Sequence, residues 1–141
     1  MNVEECFQKR LLKKIASDKL KAKSSLEIAR RKLERAQELF SENFFAEAFV
    51  TTYTLMFHSA RSLLYLDGVQ EKGHYAVYVY LSEKYLDKIS HSLIEAFHAY
   101  QTERHKLLYG FDDDSSKAQA QSILEDAEEF LQEVRNIHER I

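Results

Sequence analysis

Residues that interrupt helices are rare along this chain. Its 141 residues include no proline and only three glycines, Gly68, Gly73 and Gly110. Because proline and glycine end or weaken regular elements, a chain with so few of them forms few and long elements. Leucine, alanine, glutamate and lysine, which favour helices, dominate the sequence. The chain is therefore predicted to be all-α, and its length fits one domain over 1–141.

Apolar residues recur at helical spacing in five successive segments. They predict helices over about 19–42, 44–67, 74–86, 91–109 and 116–140. The second segment has two apolar faces, typical of a central helix or of one that uses a face for a dimer contact. The third contains a strand-like run, 75–80, but no partner strand is evident, so a short helix is predicted. Short connections favour an up-and-down antiparallel bundle of four to five main helices over 19–141.

The first 18 residues predict a short basic helix that precedes the bundle. Apolar residues spaced by four over 3–17 indicate an amphipathic helix, and they are Val3, Phe7, Leu11 and Ile15. Lysines and arginines are dense in and just after it, at Lys9, Arg10, Lys13, Lys14, Lys19, Lys21 and Lys23. We expect this helix to dock on the bundle with its charges in water. A face for phosphates or for a partner is the alternative.

Charge and motif content exclude several classes of protein. The net charge of -3 gives no overall bias toward nucleic acid. Cys6 is the sole cysteine, which excludes a disulfide framework and a cysteine metal cluster. No stretch resembles a signal peptide or a membrane span, so a cytoplasmic protein is expected. Glycine-rich phosphate loops and nucleophile elbows are absent, and no cofactor is expected.

Three histidines recur every seven residues along the predicted helix 91–109. Seven residues span about 10.5 Å, which is too far for any two of His91, His98 and His105 to share a metal ion. Glu95 lies between the first two, but the chain has no His-Glu-x-x-His motif and no cysteine partner. No metal site is predicted.

An arginine interrupts the apolar stripe of the same helix. Arg104 follows Phe97 by seven residues and precedes Leu108 by four, so helical geometry places all three on one face. The charge must then be paired, reach a cavity or lie at a subunit interface. The apolar members of this predicted stripe are Leu93, Phe97, Tyr100, Leu107, Leu108 and Phe111.

The neighbours of Arg104 add groups with useful chemistry. His105 and Tyr109 are four residues apart and share an adjacent face. Arginine can hold a phosphate through its planar fork, and histidine can move protons near neutral pH. Such a set suits binding a phosphodiester, or cleaving RNA by 2′-hydroxyl attack without a metal. Alternatively, Arg104 pairs with a buried carboxylate and Tyr109 only packs.

Four stretches follow one another in an order that indicates a family. They are the aromatic helix 44–64, Lys72-Gly73-His74, Arg104 with four residues before Tyr109, and Ala127-Glu128-Glu129-Phe130-Leu131. Over about 20–135 the chain resembles one prokaryotic subfamily of HEPN domains (higher eukaryotes and prokaryotes nucleotide-binding). The resemblance implies four or five antiparallel helices and usually a homodimer.

The resemblance also implies a site. In HEPN ribonucleases an arginine, often with a polar residue after it, and a histidine four to six residues on form a metal-independent site in a cleft across the dimer. Arg104 takes the arginine position and His105 the polar one, whereas Tyr109 stands where ribonucleases have histidine. Tyrosine is a poor proton shuttle at neutral pH because its unperturbed pKa is about 10. Tyr109 could instead accept a nucleotidyl group from a partner enzyme.

Many small HEPN proteins are encoded beside a minimal nucleotidyltransferase, the pair acting as toxin and antitoxin. The expected function is therefore nucleotide or RNA binding alongside such a partner. One alternative is a metal-independent endoribonuclease toxin that uses Arg104 and His105, and another is a helical adaptor with a degenerate site. A satisfied polar pair of His58 with Arg61 is also expected from the central helix. The candidate binding residues are Arg104, Tyr109, His105, Tyr53, His58 and His74.

Overall fold

The computed structural model describes residues 1–110 and 114–140. This part of the chain contains six helices and a small two-stranded sheet, which confirms the all-α class. The elements in order are α1 (Val3–Gln8), β1 (Leu12–Lys14), α2 (Lys19–Ser41), α3 (Phe45–Asp67), β2 (Val69–Glu71), α4 (His74–Lys84), α5 (His91–Tyr109) and α6 (Lys117–Glu139).

Helix α3 is the centre of the bundle. It packs most extensively on α2 and α6, and also contacts α5 and α4. Only residues 42–44 separate α2 from α3, so the two helices run antiparallel. Most of its circumference is buried, including Phe49, Tyr53 and Leu63, whereas a stripe that includes Thr54 and Arg61 is only partly buried. The prediction of a central helix with two apolar faces is confirmed.

Side-chain and glycine caps mark the ends of the long helices. The Asp18 carboxylate accepts from the Lys21 amide at 2.9 Å where α2 begins. Ser116 and Gln119 form a reciprocal capping box at the start of α6. Gly68 ends α3 in the left-handed conformation, with φ 72°. The run 75–80 lies in the helix α4, as predicted.

The predicted N-terminal helix over 3–17 is wrong beyond Gln8. Arg10 adopts φ 60°, the Leu11 amide donates to the Cys6 carbonyl at 2.8 Å, and the chain turns. Residues Leu12–Lys14 then pair antiparallel with Val69–Glu71, a segment predicted to be a loop. The two strands satisfy each other's backbone groups, and this long-range pairing leaves no signal in the local four-residue spacing.

The turn at Gly68 tolerates no side chain, so Gly68→Ala is expected to lower the free energy of unfolding by about 2 kcal/mol. An added Cβ would lie 2.7 Å from the Ile15 carbonyl oxygen, and φ is +72°. Urea denaturation measures the change. Asn43 has φ 66° and already carries a Cβ, so Asn43→Ala is the control and is expected to cost about 1 kcal/mol or less. Equal losses for the two variants would contradict the steric explanation.

Candidate functional site

An open cavity lies beside α5 and the first turn of α4. Its volume is about 380 Å³, and its walls contain both helices' polar side chains. No described helix is both long and apolar enough to cross a membrane. The residues that line the cavity are His74, His98, Gln101, Thr102, Arg104 and His105.

Arg104 reaches this cavity as a half-buried cation. Its guanidinium carbon lies 5.4 Å from the centre of the Tyr53 ring, a cation–π distance. Among the described residues it forms no ion pair, and its buried Nε has no hydrogen-bond partner. The structure therefore does not support pairing with a buried carboxylate, and a donor of Arg104 is left for something that the protein does not supply.

Tyr53 and His74 form the floor under Arg104. Tyr53 is fully buried, and its hydroxyl lies 2.7 Å from Nδ1 of His74. Burial raises the pKa of Tyr53, and the nearby Arg104 opposes this only in part. The phenol therefore keeps its proton at neutral pH. It fixes the orientation of a histidine that lines the cavity.

Stacked aromatic rings extend from this floor into the bundle. Phe97 and His74 stack on Tyr53, each with centroids 5.6 Å away. Phe57 stacks on His74 at 4.0 Å, and the Arg61 guanidinium lies 4.7 Å from the Phe57 ring. Rings from α3, α4 and α5 thus hold the cavity floor in one position.

The sequence model of the HEPN domain matches residues 22–137, which span most of α2 through α6. The chain belongs to the HEPN domain family. This confirms the family resemblance drawn from the four stretches. One similar protein, from Methanocaldococcus jannaschii, is named "Putative toxin MJ0605"; it is 27% identical over 135 residues, covering 90% of this chain and 94% of the relative.

The three residues of the arginine segment do not share one face of the HEPN domain. His105 is exposed and lines the cavity beside Arg104. Tyr109 is 72% exposed, lies outside the cavity lining, and contacts the His105 ring at 4.9 Å. Five helical residues amount to about 140° of rotation from Arg104. Leu108 is 42% exposed, so its predicted place on the core-facing stripe is wrong, and Phe111 lies outside the described residues.

His58 is placed away from the Arg104 cavity and does not line it. Burial lowers its pKa, with smaller effects from Arg61 and from Lys32 of α2. The expected polar pair with Arg61 is wrong: Nδ1 of His58 is buried without a partner, while Arg61 binds Glu71 at 2.8 Å. The partner of Arg61 comes from β2, whose pairing the local sequence pattern did not reveal.

Three cavity residues of α5 were missed as binding candidates, namely His98, Gln101 and Thr102. Gln101 lies three residues before Arg104, a spacing that places both on one helical face and could have identified it. Among the described residues, neither its buried Oε1 nor the buried Nδ1 of His98 has a hydrogen-bond partner. The His98 ring stacks on Tyr78 at 4.2 Å. The cavity lining thus includes an amide from Gln101 and an imidazole from His98 beside Arg104.

No cluster of metal-ligating side chains occurs in the part of the chain that the structure describes. No group of three or more histidine, cysteine, aspartate or glutamate side chains is placed to hold a metal ion there. The chemistry that the Arg104 cavity offers is therefore hydrogen bonding, positive charge and imidazole.

His74 makes stability depend on acid, and this dependence is testable. Burial, then Arg104 and Arg61, lower its pKa from 6.5 to about 4. The unfolded chain binds a proton near pH 6.5 that the folded chain refuses, so this contribution is complete above pH 6.5 and is lost as the pH falls toward 4. Because His74 is only partly buried, we expect the loss from pH 7 to pH 5 to be about 1 kcal/mol.

Urea denaturation of wild type and His74→Gln at both pH values measures this loss. The wild type is expected to lose about 1 kcal/mol more than His74→Gln on acidification. His91→Gln, at an exposed histidine, is the matched control and should behave as wild type. An equal acid loss in wild type and His74→Gln would contradict the assignment.

Proposed function

We propose that this HEPN domain binds RNA, or a nucleotide, through the Arg104 cavity and acts with a minimal nucleotidyltransferase in a toxin–antitoxin pair. The observation that carries the proposal is Arg104 itself, a half-buried cation that lines an open cavity and forms no ion pair among the described residues. Guanidinium groups bind phosphate oxygens through paired N–H donors. A phosphate would supply the missing counter-charge.

The remaining cavity groups suit the rest of a nucleotide. Gln101 also lines the cavity, and its amide group can form a hydrogen bond with a sugar hydroxyl or a base. A volume of about 380 Å³ falls within the usual range of small-molecule sites, roughly 300–1,000 Å³. His105, exposed at the rim, adds a second nitrogen donor or acceptor. These contacts favour a ligand that carries both an anionic group and neutral polar groups.

The proposal includes a homodimer, as the family resemblance implies. Large apolar residues are exposed where α5 ends and α3 begins, namely Phe44 (49%), Leu108 (42%) and Tyr109 (72%). Phe49 and Leu107 line one small cavity, so these two helix ends are neighbours. A second copy that covers this end would bring Tyr109 toward a shared cleft. The toxin role is supported by the family and by the name of the relative.

A metal-independent endoribonuclease is the second candidate. It is favoured by the imidazoles of His105 and His74, two of the three histidines that line the same cavity as Arg104. In such a reaction one imidazole takes the 2′-hydroxyl proton, the oxygen attacks the phosphorus, and the second imidazole, in its protonated form, donates a proton to the departing 5′-oxygen. Arg104 would stabilise the charge on the phosphorane. Tyr109 in place of histidine favours binding over cleavage.

One experiment separates these candidates from a helical adaptor. Fluorescent single-stranded RNA is titrated with the purified chain in EDTA, and each sample is then run on a denaturing gel. Saturable binding of intact RNA supports the binding proposal, and EDTA-resistant cleavage supports the ribonuclease. An absence of both overturns the proposal and leaves the adaptor.

A further inference from the structure

A second positively charged groove lies on the two-stranded sheet. It has a volume of about 550 Å³ and is lined by Phe7, Leu12 and four basic residues. We call the four basic residues the basic sheet face, and they are Arg10, Lys13, Lys14 and Lys72. All four are exposed, and among the described residues none forms an ion pair.

The backbone fixes the positions from which these side chains extend. Leu12 is 2% exposed and pairs with Glu71 across the sheet, which leaves Lys13 in solvent. The Lys72 amide donates to the Leu11 carbonyl at 2.8 Å. The charges therefore come from two segments some 60 residues apart in sequence. The pairing that replaced the predicted helix is what brings them together.

Charge in this groove is of one sign. Its lining contains no aspartate or glutamate, although the whole chain has a net charge of -3. The larger groove on the other side of β1, about 810 Å³, mixes Glu4, Asp67 and Glu83 with Lys14 and Lys84. Four unpaired cations concentrated in an otherwise acidic protein are complementary to a polyanion.

The basic sheet face adjoins the Arg104 cavity. Lys72 lines the groove, and His74, two residues later, lines the cavity. Successive Cα atoms are 3.8 Å apart, so the Cα atoms of these two residues are at most about 7.6 Å apart. An extended anion can thus occupy both sites at once.

We propose that the basic sheet face binds the phosphate backbone of single-stranded RNA while an adjacent nucleotide of the same strand occupies the Arg104 cavity. This inference rests on the proposed function and deepens it, since it makes the ligand a polynucleotide and not a free nucleotide. Phosphate contacts on the face position the strand without reading its sequence. Contacts in the cavity engage one nucleotide.

The test compares two variants that each lose one arginine and one lysine. Arg10→Gln/Lys72→Gln removes charge from the basic sheet face. Arg31→Gln/Lys32→Gln removes the same charge from exposed positions of α2 and is the matched control. Affinity for a labelled 20-nucleotide RNA and for a labelled dinucleotide is measured from 50 to 200 mM salt, with Arg104→Ala in parallel.

We expect Arg10→Gln/Lys72→Gln to make the negative slope of log affinity against log salt for the long RNA shallower by about 1.4, because each lost phosphate contact contributes about 0.7 to its magnitude. Its affinity for the dinucleotide should be unchanged, as should both affinities of the control. Arg104→Ala should lower the affinity for both ligands.

Three results decide between the inferences. A slope for Arg10→Gln/Lys72→Gln equal to that of the control would overturn this inference and leave the Arg104 site intact, and the face would then suit an acidic protein instead. Equal weakening by both double variants would show non-specific charge and also overturn it. If wild type binds neither RNA, this inference and the proposed function both fail.

Discussion

Replacing Arg104 with alanine is expected to lower the affinity of this HEPN domain for single-stranded RNA by about 10- to 100-fold, since hydrogen bonds to a charged group contribute about 1.5–3 kcal/mol. The guanidinium lies over the buried Tyr53 ring beside the cavity, so its position is already restricted before a ligand arrives. Little conformational entropy is then lost when a phosphate binds. Fluorescence anisotropy at fixed salt measures the change.

The same variant is expected to leave the fold intact, which separates a binding role from a structural one. A buried donor without a partner costs stability, so its removal should leave the free energy of unfolding unchanged or slightly raised. Arg104→Lys keeps the charge without the planar fork and should bind RNA with intermediate affinity. Arg35→Ala, at an exposed arginine of α2, is the control and should bind as wild type.

RNA affinity unchanged in Arg104→Ala would contradict the cavity as a binding site. A large loss of stability in that variant would contradict the view that the protein leaves Arg104 unsatisfied. The two readouts fail independently, because binding is measured on folded protein and stability is measured without RNA.

Sequence periodicity was sufficient to place Arg104 but not its surroundings. A seven-residue spacing from Phe97 located it correctly on a face that also contacts the core. The same spacing placed Leu108 there, yet Leu108 is exposed. Helical phase gives the direction of a side chain, whereas burial depends on where the adjacent helices end.

The floor of the cavity depends on contacts between distant segments. Tyr53 and His74 are 21 residues apart, and their hydrogen bond requires α4 to begin beside the middle of α3. The β1–β2 pairing fixes that starting point, because β2 ends two residues before α4. No local pattern in 3–17 or 69–73 encodes this pairing. The family resemblance gave His74 as a candidate, but its partner came only from the structure.

Truncating Tyr53 is expected to have the largest effect on stability. Tyr53→Ala should lower the free energy of unfolding by about 3–5 kcal/mol, the usual range for removing a buried aromatic side chain. Its ring is fully buried, stacks on Phe97 and His74, and supports Arg104. Urea denaturation followed by circular dichroism measures the loss.

Tyr53→Phe separates the ring from the hydroxyl and remains informative if Tyr53→Ala does not fold. Without the hydroxyl, Nδ1 of His74 loses the partner that lies 2.7 Å away. A lost buried hydrogen bond costs about 1–2 kcal/mol, so stability should fall by that amount. Phenylalanine still presents an aromatic face to Arg104, and RNA affinity should stay within about twofold of wild type.

These two substitutions distinguish a passive floor from a participating group. If Tyr53→Phe keeps RNA affinity while it loses stability, Tyr53 acts on the ligand only by holding Arg104 and His74 in place. If it loses affinity as strongly as Arg104→Ala while it stays folded, the hydroxyl or the orientation of His74 takes part in binding directly. The second outcome would contradict the passive role. We expect that role because burial keeps the phenol protonated and its hydroxyl already has His74 as a partner. The binding contribution of the cavity is therefore expected to come from Arg104, with the stacked rings beneath it determining where its guanidinium points.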